Sequence, residues 1–385
     1  MVPIATHTVG SAVGMYVGRT LSGSGQPVLF DLTEASRTSR PAAILCSGTL
    51  GSGKTLTAEL LAYQAFLQGS RIVAIDPKGD HRLADVVGHE EVELIELQPD
   101  ERDRGRLDPL RIARPETRAD LAYSFLVDLL PPPVTPRWQT AIREAVDAVA
   151  ERGSRSCADV IARLADGGEH AREAGEAIAV HARGGLLQLG FASETDRLDD
   201  GGSCQVTSLR IANLTLPLPG TSRTEFTNEE RASQALLRLL AAYALHLMGA
   251  DWSRHKVLLF DEAWMLLGDG AGRSLVHRIN RLCRSQNATP ILATQALADV
   301  DELENLIGAC FCFGVETESE AERVLELLHM DSADRRLRAQ LQAFRRGQCF
   351  MRDYSGRVSP VQVDFVDGRL LAAFDTTPRR ERVAA

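Results

Sequence analysis

The chain carries no excess of positive charge. Its 43 lysines and arginines are outnumbered by 52 aspartates and glutamates, for a net charge of −9 over 385 residues. No uniformly basic face is therefore expected, and any contact with nucleic acid must come from a local patch. No apolar run approaches the ~20 residues that cross a bilayer. The first thirty residues have no basic start followed by an apolar block. Neither an integral membrane segment nor a signal peptide is expected, although docking on a membrane is not excluded. The seven cysteines are an odd, scattered set, which fits a reducing compartment. Cys310 and Cys312, in "ACFCFG", fall on one side of a predicted strand, where small buried apolar residues are expected. No metal-ligand spacing occurs elsewhere, and no internal repeat stands out. What is present, 44% hydrophobic and 25% charged residues, is the make-up of a globular chain long enough for one large or two ordinary domains.

The order of elements follows from periodicity and breakers. "GMYVGRTLSGSGQPVLFDL" reads as two short strands joined by a Gly/Ser turn, and residues 1–40 form this hairpin lead-in. "PAAILCSG" is a buried strand and "KTLTAELLAYQAFLQG" a helix, with Leu56, Leu60, Tyr63 and Leu67 on one face. "RIVAIDPKGD" is a second buried strand ending in a polar turn. These belong to residues 41–107. Over 108–202 the texture changes to helical stretches separated by breakers ("RADLAYSFLVDLL", "PPPVTP", "RWQTAIREAVDAVAERG", "CADVIARLADGG"), which read as a helical insertion. Strands resume over 203–366 at "CQVTSLRI", "KVLLFDEA", "TPILATQ" and "ACFCFGVE". A long helix, "EERASQALLRLLAAYALHLMG", lies among them, and a late hairpin, "GQCFMRDYSGRVSPVQVDF", closes the core. Residues 367–385 read as a polar tail. Strands that are apolar throughout and alternate with helices predict an α/β fold with a mostly parallel sheet covered on both faces.

Gly48, Gly51, Gly53, Lys54 and Thr55 satisfy G-x-x-x-x-G-K-[ST], between a strand and a helix as that motif requires. Glycines let the backbone curl with its N–H groups inward, and the helix N-terminus adds partial positive charge at the same point. Lys54 supplies a full charge for the β- and γ-phosphates of a nucleotide, and Thr55 offers a hydroxyl to Mg2+. The loop as a whole, Gly48, Thr49, Leu50, Gly51, Ser52, Gly53, Lys54 and Thr55, is the predicted nucleotide cradle.

Hydrolysis needs acids as well. "VLLFDEAW" takes the chain through a buried strand to Asp261, placed to hold Mg2+ through water, and to Glu262, placed to accept a proton from an attacking water. Gln295, at the end of "ILAT", is placed to orient water or sense the γ-phosphate, because ligands of such sheets sit beyond the carboxyl ends of the strands. Asp76, ending "RIVAID", is a comparable site residue or a turn former. In "SLVHRINRLCRSQN", His277, Arg281 and Arg284 fall at helical spacing beside Arg278, a stripe too basic for a core face. It is a solvated face or the source of an arginine that reaches a phosphate on a neighbouring subunit. The run "RRLRAQLQAFRRGQ" reads as a solvated helix.

The set "GTLGSGKT", "DPKGD", "LDPL", "LFDEAW", "CRSQN", "ATQ" and "RRGQCFMRD" resembles the VirB/TraC-type conjugative-transfer ATPases of type IV secretion systems. These lie in the HerA–FtsK branch of P-loop ATPases, and the texture is similar to actinobacterial ATP-binding proteins. The resemblance spans roughly Met15 to Phe365. It implies a RecA-like P-loop ATPase core, ATP and Mg2+ as ligands, and a hexamer working in the cytoplasm at the inner face of the membrane beside secretion-channel components, with DNA as a candidate partner. It assigns nucleotide and metal to Lys54 and Thr55, hydrolysis to Asp261 and Glu262, sensing to Gln295, and a late Gly-Gln contact to Gln348. Arg284 matches the arginine offered in trans, with Ser285 standing where the family usually has a lysine. The family also carries a large domain before the ATPase, whereas here about forty residues precede the phosphate loop, so the resemblance implies a truncated member.

Other readings stay open from the residues. One is a HerA/FtsK-like DNA translocase or helicase, and another a nucleotide-gated scaffold with little turnover. A small-molecule kinase shares the phosphate loop, but a glutamate beside Asp261 suits water as nucleophile.

Overall fold

The computed structural model describes residues 9–38, 40–131, 133–192, 204–217, 221, 225–249, 253–263, 279, 287–295 and 305–374. Its frame is an 11-stranded sheet in the order β2-β1-β11-β10-β9-β3-β8-β7-β4-β6-β5. The central strands β3 (Ala43–Ser47), β4 (Arg71–Ile75), β7 (Lys256–Phe260) and β8 (Ala288–Thr294) are apolar on both faces and almost wholly buried. They run parallel to one another and to β5 (Val92–Leu97), β6 (Val206–Ile211) and β9 (Ile307–Phe313). Continuous burial of this kind is what a parallel sheet requires, because crossovers place helices over both faces. The edge beyond β9 is antiparallel. There β10 (Gln348–Arg352) and β11 (Val358–Val363) form the late hairpin, and β1 (Met15–Thr20) with β2 (Pro27–Phe30) forms the early one.

Alternation along β3 divides the core in two. Leu45 faces one apolar cluster, whereas Ile44 and Cys46 face the other. The first cluster takes in α9 (Asn228–Leu247), whose first turn is closed by a capping box between Thr227 and Glu230. Cys310 and Cys312 point into this same cluster and are fully buried. The second cluster takes in α2 (Lys54–Leu67). Along α2, Leu67 is 55% exposed, while Ala58, Leu61 and Ala65 are buried. Of the predicted stripe, Leu60 is buried in this cluster and Leu56 and Tyr63 pack against it, whereas Leu67 at the end of the helix does not. Alanines let this helix approach the sheet closely, and a count of large apolar residues misses them.

Between β5 and β6 the chain forms α4 (Pro109–Ile112), α5 (Arg118–Asp128), α6 (Pro136–Glu151), α7 (Cys157–Ala165) and α8 (Glu169–Ala182), each of the last four packing on its neighbour. Asp108 ties this block together. Its buried carboxylate caps α4 by accepting from Leu110 N (3.0 Å), and also accepts from Cys157 N (2.7 Å) and Ala192 N (2.9 Å). A further link joins Arg238 on α9 to Asp128 on α5 at 2.6 Å. The edge strand β5, "VELIEL", has no counterpart among the predicted strands. One face carries Glu96 and a 54% exposed Leu94, and the other sets Glu93 beside the buried Ile95 and Leu97, so the strand shows neither full burial nor a clean apolar face.

Candidate active site

Because β3, β8, β7 and β4 are consecutive neighbours, their carboxyl ends form one ledge, and ligands of parallel sheets collect there. The loop after β3 curls at Gly48 (φ +145°) and Gly53 (φ +119°), backbone states that L side chains rarely adopt. A Cβ at Gly48 would also stand 2.7 Å from the Phe313 side chain. The loop is pinned from outside, with Thr49 N donating to Gly314 O (3.1 Å) and Gly347 N donating to Ser52 O (2.8 Å). At Gly53 no side chain caps α2, so the open N–H groups of its first turn face the ledge.

Lys54 begins α2 and folds back over its own loop, its Nζ donating to Thr49 O at 2.6 Å. It is only 6% exposed, and burial pushes its ammonium down to about 8 despite Asp261 and Glu262 nearby. The next residue, Thr55, donates from Oγ1 to Asp261 Oδ2 at 3.0 Å. The phosphate loop and the acids after β7, 206 residues apart in sequence, therefore share one cleft. Its lining includes Gly51, Gly53, Lys54, Thr55, Asp261, Glu262 and Gln295, with Leu50 at the rim. Gly48, Thr49 and Ser52 do not line the cleft; Thr49 and Ser52 bond instead to Gly314 and Gly347.

Glu262 has a left-handed backbone, φ 56°, a state that strains a residue with a side chain. Its N–H donates to Asp261 Oδ1 at 3.0 Å. Its Oε1 accepts from Gln295 Nε2 at 3.0 Å and from the ammonium of Lys78. Behind Asp261 lies a buried imidazole. The His81 ring is 3.7 Å from Asp261 Oδ2. Burial would lower its pKa, but Asp261, Asp76 and Glu59 outweigh that and hold the imidazolium up to about 9. Burial acts on Asp261 in the opposite sense and is also outweighed, so His81 and Thr55 keep its carboxyl below the usual range. Glu59, on α2, accepts from Arg82 N at 2.5 Å, and burial pushes it up to about 7.

Two predicted contacts sit elsewhere. Asp76 accepts from Asp80 N (3.1 Å) and His81 N (3.0 Å), so it builds the turn after β4 and does not line the cleft. Gln348 turns its Oε1 to Arg345 N at 2.9 Å, and it is the adjacent Gly347 that touches the loop. Arg284, with His277, Arg278 and Arg281, lies outside the described residues. The prediction missed Lys78, His81 and Glu59. The signal for the first two was their place in a polar turn at the carboxyl end of a buried strand.

The donor set suits Mg2+. Thr55 Oγ1 and the Asp261 carboxylate are hard oxygen donors side by side at the cleft. Among the described residues no group of three or more His, Cys, Asp or Glu could cage a metal by itself. That is the pattern of an ion held by one or two protein oxygens together with substrate phosphates and water.

A family model described as an AAA-like domain matches residues 27–374. The uncharacterized protein YddE of Bacillus subtilis (strain 168) is 21% identical over 375 residues, 90% of this chain and 44% of that protein. The conjugal transfer protein TrbE of Rhizobium radiobacter is 25% identical over 266 residues, 67% of this chain and 30% of that protein. The chain thus spans less than half the length of either relative. Among solved structures, VirB4 of Thermoanaerobacter pseudethanolicus superposes with a TM-score of 0.73 at 16% identity, over 94% of this chain and 100% of that one. Plasmid coupling protein TrwB in complex with ADP and Mg2+ gives 0.54 at 15% identity, over 94% and 97%. These likenesses bear on the fold alone, a mostly parallel sheet covered by helices.

Proposed function

Since this chain belongs to the AAA-like domain family, we propose that it is an ATP-hydrolysing motor domain of a conjugative DNA-transfer or type IV secretion apparatus. One observation carries the enzymatic part: the Thr55–Asp261 hydrogen bond of 3.0 Å brings the phosphate loop and the acids after β7 to one cleft. The assignment to conjugation is supported by the relatives, one named a conjugal transfer protein and one a VirB4.

In this reading Lys54 leaves Thr49 O for the phosphates, and the open N–H groups of the loop and of the first turn of α2 receive the remaining phosphate oxygens. Thr55 and Asp261 hold Mg2+, which when bound neutralises phosphate charge. His81 keeps Asp261 ionised and oriented from behind. Glu262 takes a proton from the attacking water, and Gln295, already bonded to that carboxylate, fixes where the water stands. Arg284 reaches the phosphate of a neighbouring subunit in a hexamer. Secretion-channel proteins and DNA are the proposed partners, and the inner face of the cell membrane the proposed place of work. No helix among the described residues is long and apolar enough to cross a membrane.

ATPase assays with and without DNA, at matched salt and over a range of protein concentration, test this reading. Turnover per subunit that rises with protein concentration supports it. Turnover that requires DNA and falls steeply with salt would favour a translocase. Tight nucleotide binding without turnover at any concentration would favour a scaffold.

A further inference from the structure

Lys78 is a cation at the cleft that the proposed mechanism leaves without a role. It sits in the turn between β4 and α3 (Leu83–Val87), and Asp76 fixes that turn by accepting from Asp80 N and His81 N. The backbone of Lys78 is therefore held at the mouth of the site, and its side chain lines the cleft together with Lys54. The ammonium rests on Glu262 Oε1, the same oxygen that receives Gln295 Nε2 at 3.0 Å. An oxygen engaged by two donors is poorly placed to accept a water's proton as well. One oxygen of the proposed base is thus taken up by two donors, and the backbone that carries it is held at φ 56°.

The occupant is loosely kept. The Lys78 side chain is 38% exposed whereas Glu262 is 7% exposed, and ion pairs open to solvent are weak. A γ-phosphate delivers two negative charges and three acceptor oxygens, a stronger partner for an ammonium than one carboxylate oxygen. If Glu262 activates the water that attacks the γ-phosphorus, only that water separates the two groups, and a cation on Glu262 stands within reach of the phosphate. We propose, resting on the nucleotide reading above, that Lys78 is a γ-phosphate ligand that exchanges partners. It leaves Glu262 when a triphosphate enters, so the group that distinguishes ATP from ADP is also the group that frees the base.

The test uses Mg2+ with ADP or a non-hydrolysable ATP analogue as probes, and titration calorimetry as the readout. Two backgrounds are compared: the parent chain and Glu262→Gln, where Lys78 has lost its carboxylate partner. In Glu262→Gln, adding Lys78→Met should weaken the triphosphate analogue about tenfold and change ADP by less than about twofold, as expected for loss of one charge-assisted contact. Lys78→Arg should retain most of the discrimination, which a folding defect would not. In the parent background the loss from Lys78→Met should be about threefold or more smaller, because there binding must first break the Glu262 ion pair. An unchanged ATP-to-ADP preference in Glu262→Gln would overturn the phosphate contact, and equal losses in both backgrounds would overturn the exchange. Failure of the parent to bind either nucleotide would instead overturn the nucleotide reading, and with it this proposal.

Discussion

Acidification should remove the stability contributed by one histidine at the end of the sheet opposite the cleft. His255 precedes β7, and its Nδ1 lies 2.9 Å from Ser70 Oγ and its Nε2 3.0 Å from Thr289 Oγ1. The Thr289 hydroxyl spends its one hydrogen on Leu32 O, at 3.0 Å. It must therefore accept from His255, which puts the ring proton on Nε2 and leaves Nδ1 to accept from Ser70. Burial pushes the ring from its ordinary 6.5 down to about 4, only partly offset by Asp31. Above 6.5 both folded and unfolded chains are neutral here. Between 6.5 and about 4 the unfolded chain binds a proton that the fold refuses. The stability is thus fully present above 6.5 and is lost as pH falls towards 4. At about 1.4 kcal/mol per pH unit, the drop from pH 6.5 to 5 amounts to about 2 kcal/mol from this group alone. Urea unfolding at pH 7, 6 and 5 reads it out. His255→Gln should cost about 1–2 kcal/mol at pH 7, from disturbed bonds to Ser70 and Thr289, and the gap between parent and variant should narrow as pH falls to 5. Parallel pH dependences of parent and variant would refute the reasoning.

Other perturbations have equally definite outcomes. Asp108→Ala strips the acceptor from three buried amides, those of Leu110, Cys157 and Ala192. It should cost about 3–5 kcal/mol in urea unfolding and speed hydrogen exchange at Cys157 and Ala192. Lys54→Ala should abolish measurable Mg2+–ATP binding in calorimetry while leaving thermal stability near that of the parent. Arg284→Ala should still bind ATP without turning it over. Mixed with Glu262→Gln subunits it should regain part of the turnover, since an interface pairing intact Glu262 with intact Arg284 is then rebuilt. No recovery on mixing would place the arginine in cis.

The phosphate loop and the strands that carry the acids could be read directly, because a glycine-lysine signature and unbroken apolar runs are local properties. The partners of those residues are not local. That Lys78 meets Glu262, 184 positions on, follows from β4 and β7 lying side by side, which spacing cannot reveal. His81 looks like a polar turn residue until the fold surrounds it with Asp76, Glu59 and Asp261. Asp76 and Gln348 carry the opposite lesson. Both sit where a ligand contact is expected, and both spend their side chains on backbone amides that shape the cleft from behind. The edge strand β5 escaped because one of its faces is glutamate and half-exposed leucine, and the buried alanines of α2 escaped because a search for large apolar residues passes over them.

The central claim is that Glu262 activates water against a triphosphate gripped by Lys54. Its most direct test is Glu262→Gln, followed by Mg2+–ATP binding and steady-state turnover in the same preparation. Binding at least as tight as the parent's, with turnover reduced by about a hundredfold or more, is the expected result. Hydrolysis at the parental rate would contradict the account.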